Sequence, residues 1–230
     1  MQENLQHTSL KPRWNQTARW LALIGGVINP IAFVLAYTVA DLLRPGYSPI
    51  HQAISDLGVG PNGSLLDAIA VLHGLLLTAF AVGFALLMRQ VLTVGWRWVG
   101  AVLLGLRGLA NVTTAIFTDA PATVAIHSLA TLVALISIMG AFLVIGLGLR
   151  RTSQWRGWGT YSLVAALVTL VLVAVEFWAF RPGTPLAPAQ VGGLLERVLS
   201  VETLAWYVVF GWRLFVLAGS RQQGQGQAAP

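Results

Sequence analysis

Imidazole and carboxylate groups are the side chains of this sequence most suited to chemistry, because together they form a donor set that zinc accepts. Three protein ligands and one water would make an open, catalytic zinc site. No two histidines have the i, i+4 spacing of a helical zinc motif, so nothing local enforces such a site. The sequence allows zinc without predicting it, and no cofactor is predicted. The weak candidate ligands are His51, His73 and His127, with Asp56, Asp67 or Asp119 as the carboxylate.

Ser55 suggests a second kind of chemistry, because it lies four residues after His51 and the two would share one face of a helix. With Asp56 or Asp119 nearby, they would resemble a Ser/His/Asp hydrolase site. The same residue types are common in caps and turns of short connections, and no oxyanion hole can be recognised. The catalytic candidates are His51, Ser55, Asp56, His73, Asp119 and His127.

Arg107, Glu202 and His73 lie deep inside long apolar runs, where a charged group is costly. A rise of 1.5 Å per residue puts them about 13–16 Å from the nearer end of their runs. We expect Arg107 to pair with Glu202, with His73 close by. Such a pair could equally be structural and fix which helices face each other. The predicted lining of the polar cavity around them is Arg107, Asn111, Glu202, Glu196 and Asp67.

The chain as a whole is apolar: 56% of its residues are hydrophobic and 10% are charged. Soluble domains carry about 25% charged residues, so lipid must cover part of this surface. The sequence predicts an all-α integral membrane protein with a six-helix transmembrane domain over residues 20–218. A cytoplasmic segment (1–19) would precede it and a disordered cytoplasmic tail (219–230) would follow. The predicted spans are Trp20–Leu43, Ser64–Met88, Trp96–Phe117, Val124–Leu149, Trp158–Phe180 and Gly193–Ala218.

The distribution of Lys and Arg orients this bundle, because cytoplasmic loops carry the excess of positive charge. Ten of the fourteen basic residues fall on the side of the two termini, so both termini are predicted to be cytoplasmic in a prokaryotic plasma membrane. Seven of the eight acids fall in the outer half; Glu176, near the end of its span, is expected to point outward. Membrane lipids are the expected partners. No basic run with interleaved aromatics indicates nucleic acid, and the sequence predicts no oligomeric state.

The stretch GYSPIHQAISDLG, residues 46–58, joins the first two spans and has the pattern of a short helix. Ser48 is suited to the N-cap, Pro49 to the first turn and Gly58 to the stop. Apolar residues recur between them at helical spacing. The sequence therefore predicts a short amphipathic helix of two to three turns at the outer membrane interface.

This stretch and a second one, FTDAPATVAIH at residues 117–127, resemble a bacterial and archaeal membrane family catalogued as domain of unknown function 998. The resemblance extends over roughly residues 20–218. It implies an integral membrane protein of similar architecture, and it carries no catalytic assignment because the family has no agreed activity. The residues that match its motifs are Ser55, Asp56, Leu57 and Gly58 in the first linker, and Asp119, Pro121 and His127 in the second.

Three functions are compatible with these residues. The leading hypothesis is a membrane protein that binds a lipid-like or small polar ligand in an outward-facing polar cavity. One alternative is a membrane-embedded hydrolase, with or without a metal, that acts on lipid or isoprenoid substrates at the outer leaflet. The other is a small proton-coupled carrier that uses Arg107, Glu202 and His73.

Overall fold

Seven helices hold most of the residues that the structure, a computed structural model, describes: 12–60, 63–179, 181–184 and 189–226. A π-helical turn, Ile24–Ile28, joins the first two helices into one span. Three short 3₁₀ turns lie between helices, and the described residues contain no strand. The helices are α1 (Pro12–Leu23), α2 (Asn29–Leu43), α3 (Gly63–Leu87), α4 (Val94–Ile116), α5 (Val124–Arg150), α6 (Arg156–Ala179) and α7 (Gly192–Gly226).

Six helical segments are long and apolar enough to cross a membrane, which confirms the predicted all-helical, multi-pass protein. The helices at both ends run beyond the predicted limits of the bundle. α1 begins at Pro12, inside the predicted N-terminal segment, and α7 continues to Gly226, into the tail expected to be disordered. Residues 1–11 and 227–230 lie outside the described part of the chain. The six segments are Gln16–Leu43, Gly63–Gln90, Val94–Ile116, Val124–Arg150, Ser153–Ala179 and Gly192–Gly219.

Successive spans run in opposite directions, so the described linker residues 44–60, 117–123, 181–184 and 189–191 lie at one end of the bundle, here called the cavity end. The half of the bundle away from these linkers is filled by buried aromatic side chains. Trp206 stacks on Phe210, with ring centroids 4.7 Å apart, and the ring of Phe142 lies at the same distance from Trp206. The indole N–H of Trp206 donates to Ser162 Oγ at 3.1 Å, so this buried donor is satisfied.

α3 and α4 touch backbone to backbone at Gly74 and Gly108. A Cβ atom on Gly74 would lie 2.6 Å from the carbonyl oxygen of Gly108, and one on Gly108 would lie 2.6 Å from that of Gly74. Small residues allow helices to approach this closely inside a membrane. Since His73 and Arg107 directly precede these two glycines, the crossing brings both side chains to the same depth.

The linker after α2 differs from the predicted amphipathic helix. It forms a turn at Ser48, where Gln52 N–H donates to the Ser48 carbonyl at 2.8 Å, and then a 3₁₀ turn over Ser55–Gly58. The reason is that other elements capture its backbone groups. Glu196 accepts the Ile54 N–H at 2.8 Å and Arg197 donates to the Gln52 carbonyl at 2.9 Å, so the helical hydrogen-bond pattern is not continued.

We expect Gly108→Ala to destabilise the protein by about 1–3 kcal/mol, because the added methyl group must push α3 and α4 apart. Gly105→Ala on the same helix is the matched control, since its new Cβ would meet nothing closer than Ala81 at 3.9 Å. Thermal unfolding of the purified variants in detergent measures both effects. Equal midpoints for the two variants would show that the crossing at Gly108 tolerates a side chain.

Candidate functional site

A cavity of about 430 Å³ lies between the spans and reaches the linkers at the cavity end. All six spans and the first two of these linkers contribute to its lining. Three of the side chains proposed from the sequence, His51, Asp56 and Glu202, do not line it. The proposed residues that do are Ser55, Asp67, His73, Arg107, Asn111, Asp119, His127 and Glu196.

Arg107 is the cation of this cavity and has no carboxylate partner. Its Nη1 donates to Asn111 Oδ1 at 2.7 Å, one helical turn away, while its buried Nε has no hydrogen-bond partner. The ion pair expected with Glu202 does not form: no carboxylate oxygen of the described residues lies within 4.0 Å of Arg107. Glu202 faces α6 instead, where it accepts a hydrogen bond from Thr169 Oγ1 at 2.8 Å.

His73 is held rigidly at the floor of the cavity, 2% exposed. Phe33 stacks on its ring at 4.0 Å, and Asn29 Oδ1 lies 3.1 Å from its Nδ1. The Asn29 amide nitrogen donates to the His73 carbonyl at 3.2 Å, which orients the amide oxygen toward the ring. Nδ1 is therefore the protonated nitrogen and Nε2 the acceptor. Nε2 is buried without a partner among the described residues.

Asn29 and Phe33, which hold this ring, are not among the residues proposed from the sequence. Asn29 directly follows the π turn, and its own N–H donates to the Ile24 carbonyl five residues earlier. The wider turn changes the direction in which the following side chains point. An asparagine before a proline in an apolar run was the available signal, because a polar side chain there needs a partner.

Four carboxyl groups lie in the wall of the cavity, nearer to the linkers. Two are engaged: Glu196 accepts the Ile54 N–H, and Asp119 accepts the Ser55 hydroxyl at 3.5 Å. The other two, Asp67 and Glu176, have no hydrogen bond or ion pair with any described residue. Glu176 was expected to point outward, yet it lines the cavity.

The three candidate histidines are bound to separate acceptors. His51 Nδ1 lies 2.9 Å from the Gln190 carbonyl, outside the cavity, and His127 Nδ1 lies 2.9 Å from the Phe117 carbonyl. Within the described residues no group of three His, Asp or Glu is placed to hold a metal ion. Ser55 bonds to a carboxylate and not to a histidine, so the Ser/His/Asp arrangement is not assembled.

A network around Arg197 fastens the first linker over the cavity. The Arg197 guanidinium pairs with Asp41 at 2.8 Å and donates to the Tyr47 hydroxyl at 2.7 Å. Tyr47 donates in turn to the Ala53 carbonyl. Burial raises the pKa of Tyr47 above its ordinary value of 10.0, so the hydroxyl keeps the proton that it donates at neutral pH.

Comparison with known families adds one finding. A family model described as "Protein of unknown function (DUF998)" matches residues 27–213. The chain belongs to the DUF998 family. The match includes every residue that lines the cavity of this DUF998 protein and confirms the resemblance inferred from the two linker motifs. No curated protein matches the chain, and no solved structure matches it either.

Arg197→Gln should loosen the first linker, because it removes the ion pair and leaves Asp41 unpartnered. Breaking a buried pair costs about 3 kcal/mol, so hydrogen exchange over residues 47–54 should accelerate on the order of a hundredfold. Arg181→Gln is the control, since this arginine lies at the same end with an exposed side chain. Equal exchange in the two variants would mean that the network does not hold the linker.

Proposed function

We propose that this protein binds a small ligand in its cavity, with Arg107 holding an anionic group of that ligand. The observation that carries the proposal is the absence of a counter-ion for Arg107 among the described residues. An arginine at the centre of a membrane helix costs about 2.5–3.5 kcal/mol, and such residues usually pair. A guanidinium left with one neutral partner is suited to an anion from outside the chain.

The rest of the cavity supports a ligand with an apolar body. Its volume lies within the range of about 300–1,000 Å³ that is usual for small-molecule sites. Leu66, Leu132, Leu135 and Phe177 supply apolar wall above the floor. His73 Nε2 offers a hydrogen-bond acceptor beside Arg107. A lipid-like or small polar molecule with an anionic group would satisfy Arg107 and the apolar wall, and a hydrogen-bond donor on the same molecule would satisfy His73.

The geometry favours binding over hydrolysis or transport. The described residues hold no serine bonded to a histidine and no cluster of metal ligands, which a hydrolase of the kind considered above would need. A carrier would need a path through the opposite half of the bundle. There the aromatic group around Trp206 and Phe210 fills the space below the floor.

We further propose that the cavity opens toward the outside of a prokaryotic plasma membrane, with both termini in the cytoplasm. Support comes from the arginines at the end opposite the cavity, where the positive-inside rule places the cytoplasm. Several of them lie over aromatic rings, as Arg213 does over Trp155 and Trp158 at 5.4 and 5.5 Å. Membrane lipids would surround this belt.

Arg107→Gln tests whether Arg107 serves a ligand or the fold. If it serves a ligand, the ligand-free variant should be more stable than the wild type by on the order of 1 kcal/mol, because an uncompensated charge is removed from the membrane. If Arg107 were structural, its removal would lower the midpoint of thermal unfolding. Arg89→Gln, an exposed arginine at the opposite end, should change stability by less than about 0.5 kcal/mol.

The same pair of variants tests binding. Caproate, a carboxylate with a short apolar chain, should raise the unfolding midpoint of the wild type and of Arg89→Gln, since a ligand that binds only the folded state stabilises it. It should leave the midpoint of Arg107→Gln unchanged. Equal stabilisation of all three proteins would contradict the proposed site.

The orientation can be tested with single cysteines, because the chain contains none. Pro49→Cys lies exposed at the cavity end and Gln154→Cys exposed at the opposite end. A membrane-impermeant maleimide added to intact cells should label the first variant, and should label the second only after the cells are opened. The reverse pattern would place the cavity on the cytoplasmic side.

A further inference from the structure

We infer that the ligand is a zwitterion, whose cationic group lies at the two unpartnered wall carboxyls, Asp67 and Glu176. This inference rests on the proposed anion site at Arg107 and extends it to the other end of the ligand. Both carboxyls line the same cavity as Arg107 and neither bonds to a described residue. Among the described residues the cavity therefore presents an arginine without a counter-ion at its floor and two carboxyl groups without a partner in its wall.

The basic residues at the cavity end are committed elsewhere or point away. Arg197 is paired with Asp41, and Arg44 donates to the carbonyls of Asp56 and Val59. Arg181 is exposed. Within the cavity lining, the imidazole of His127 is turned by its Nδ1 toward backbone carbonyls. The described residues thus supply no salt-bridge partner for Asp67 or Glu176.

The two carboxyls that are engaged differ in role from the two that are free. Glu196 and Asp119 bond to Ile54 and Ser55 of the first linker, so they fasten the cover of the cavity. Asp67 and Glu176 perform no such task. Carboxylates inside a membrane protein are costly and usually have a partner, so free ones in a cavity indicate a cation that comes from outside the chain.

The depths of these residues give the spacing of the ligand's charges. Arg107 lies nine residues before the end of α4, whereas Asp67 lies four residues after the start of α3. At 1.5 Å per residue these positions are about 14 Å and about 6 Å from the cavity end. Glu176, three residues before the end of α6, lies at nearly the level of Asp67. The charges of the ligand should therefore be separated by about 8 Å along the bundle axis.

The cavity floor supplies an observation that does not depend on the acids. His73 is almost completely buried and lines the cavity. Its acceptor nitrogen, Nε2, has no partner among the described residues and lies at about the same depth as Arg107. A buried polar atom without a partner costs free energy unless something bonds to it. The floor is thus built for a polar group, while the carboxyls above it select the charge of the other end.

Electrostatics then rank three ligands of equal length. A zwitterion gains at both ends, and in a low-dielectric cavity each gain is larger than in water. An anion alone satisfies Arg107 and leaves the two wall carboxyls without a counter-charge. A cation alone satisfies the wall and leaves Arg107 unpaired.

The test compares ε-aminocaproate, caproate and n-hexylamine, which share one six-carbon chain and differ only in charged groups. Binding to the purified full-length protein in detergent is measured by calorimetry. ε-Aminocaproate should bind at least tenfold more tightly than caproate, and n-hexylamine most weakly. In Asp67→Asn with Glu176→Gln, ε-aminocaproate should fall to the affinity of caproate, and caproate should bind at least as tightly as before.

Control variants separate this inference from the proposed function. Glu202→Gln removes a carboxyl outside the cavity and should leave all three affinities unchanged. Each single variant, Asp67→Asn and Glu176→Gln, is measured as well, so that misfolding of the double variant does not decide the result.

If caproate and ε-aminocaproate bind the wild type with equal affinity and neither binds Arg107→Gln, the anion site stands and the zwitterion is wrong. If Arg107→Gln leaves both affinities unchanged, the proposed function itself is wrong. If ε-aminocaproate and its shorter analogue γ-aminobutyrate both fail to bind the wild type, the zwitterion is overturned.

Discussion

The contact of α3 with α4 at Gly74 and Gly108 determines where the polar groups of this bundle can lie. Backbone meets backbone there, so the residues directly before the two glycines, His73 and Arg107, are brought to a common depth. Neither glycine can take a side chain without moving a helix. Because interhelical packing inside lipid depends on such close contacts, the crossing that stabilises the two spans also fixes the floor of the cavity.

The two halves of the bundle then have opposite roles. Below the floor, Trp206 and Phe210 stack in a dense aromatic core, and the Trp206 indole N–H is satisfied by Ser162. In the cavity half, Arg107 has no counter-ion, and the His73 Nε2 atom and two carboxyls lack partners among the described residues. Groups of this kind reduce stability, and proteins retain them mainly where they serve a function. The packed half supplies the stability that allows the cavity half to keep them.

Much of this architecture could be predicted from the sequence. The lengths of the apolar runs determine the spans, and the four-residue spacing places Asn111 on the same helix face as Arg107. Depth could be predicted in the same way, since it follows from residue counts. The direction in which a side chain points around its helix could not be predicted. Glu202 lies as deep as His73 yet faces α6, and Glu176 lies near a helix end yet faces inward. Direction depends on how neighbouring helices pack, and the π turn before Asn29 changes it further.

Glu196 and Arg197 show how the direction of a side chain around its helix decides what it contacts. Successive residues on a helix point about 100° apart, so Glu196 faces the cavity while Arg197 turns toward Asp41 on α2. Both nevertheless hold the same linker, one through the Ile54 N–H and the other through the Gln52 carbonyl. A carboxyl that holds the linker still has lone pairs for a second partner, but it cannot move toward a ligand's cation without releasing the linker. Asp67 and Glu176, which hold no linker, are therefore the carboxyls that we propose for the ligand's cationic group.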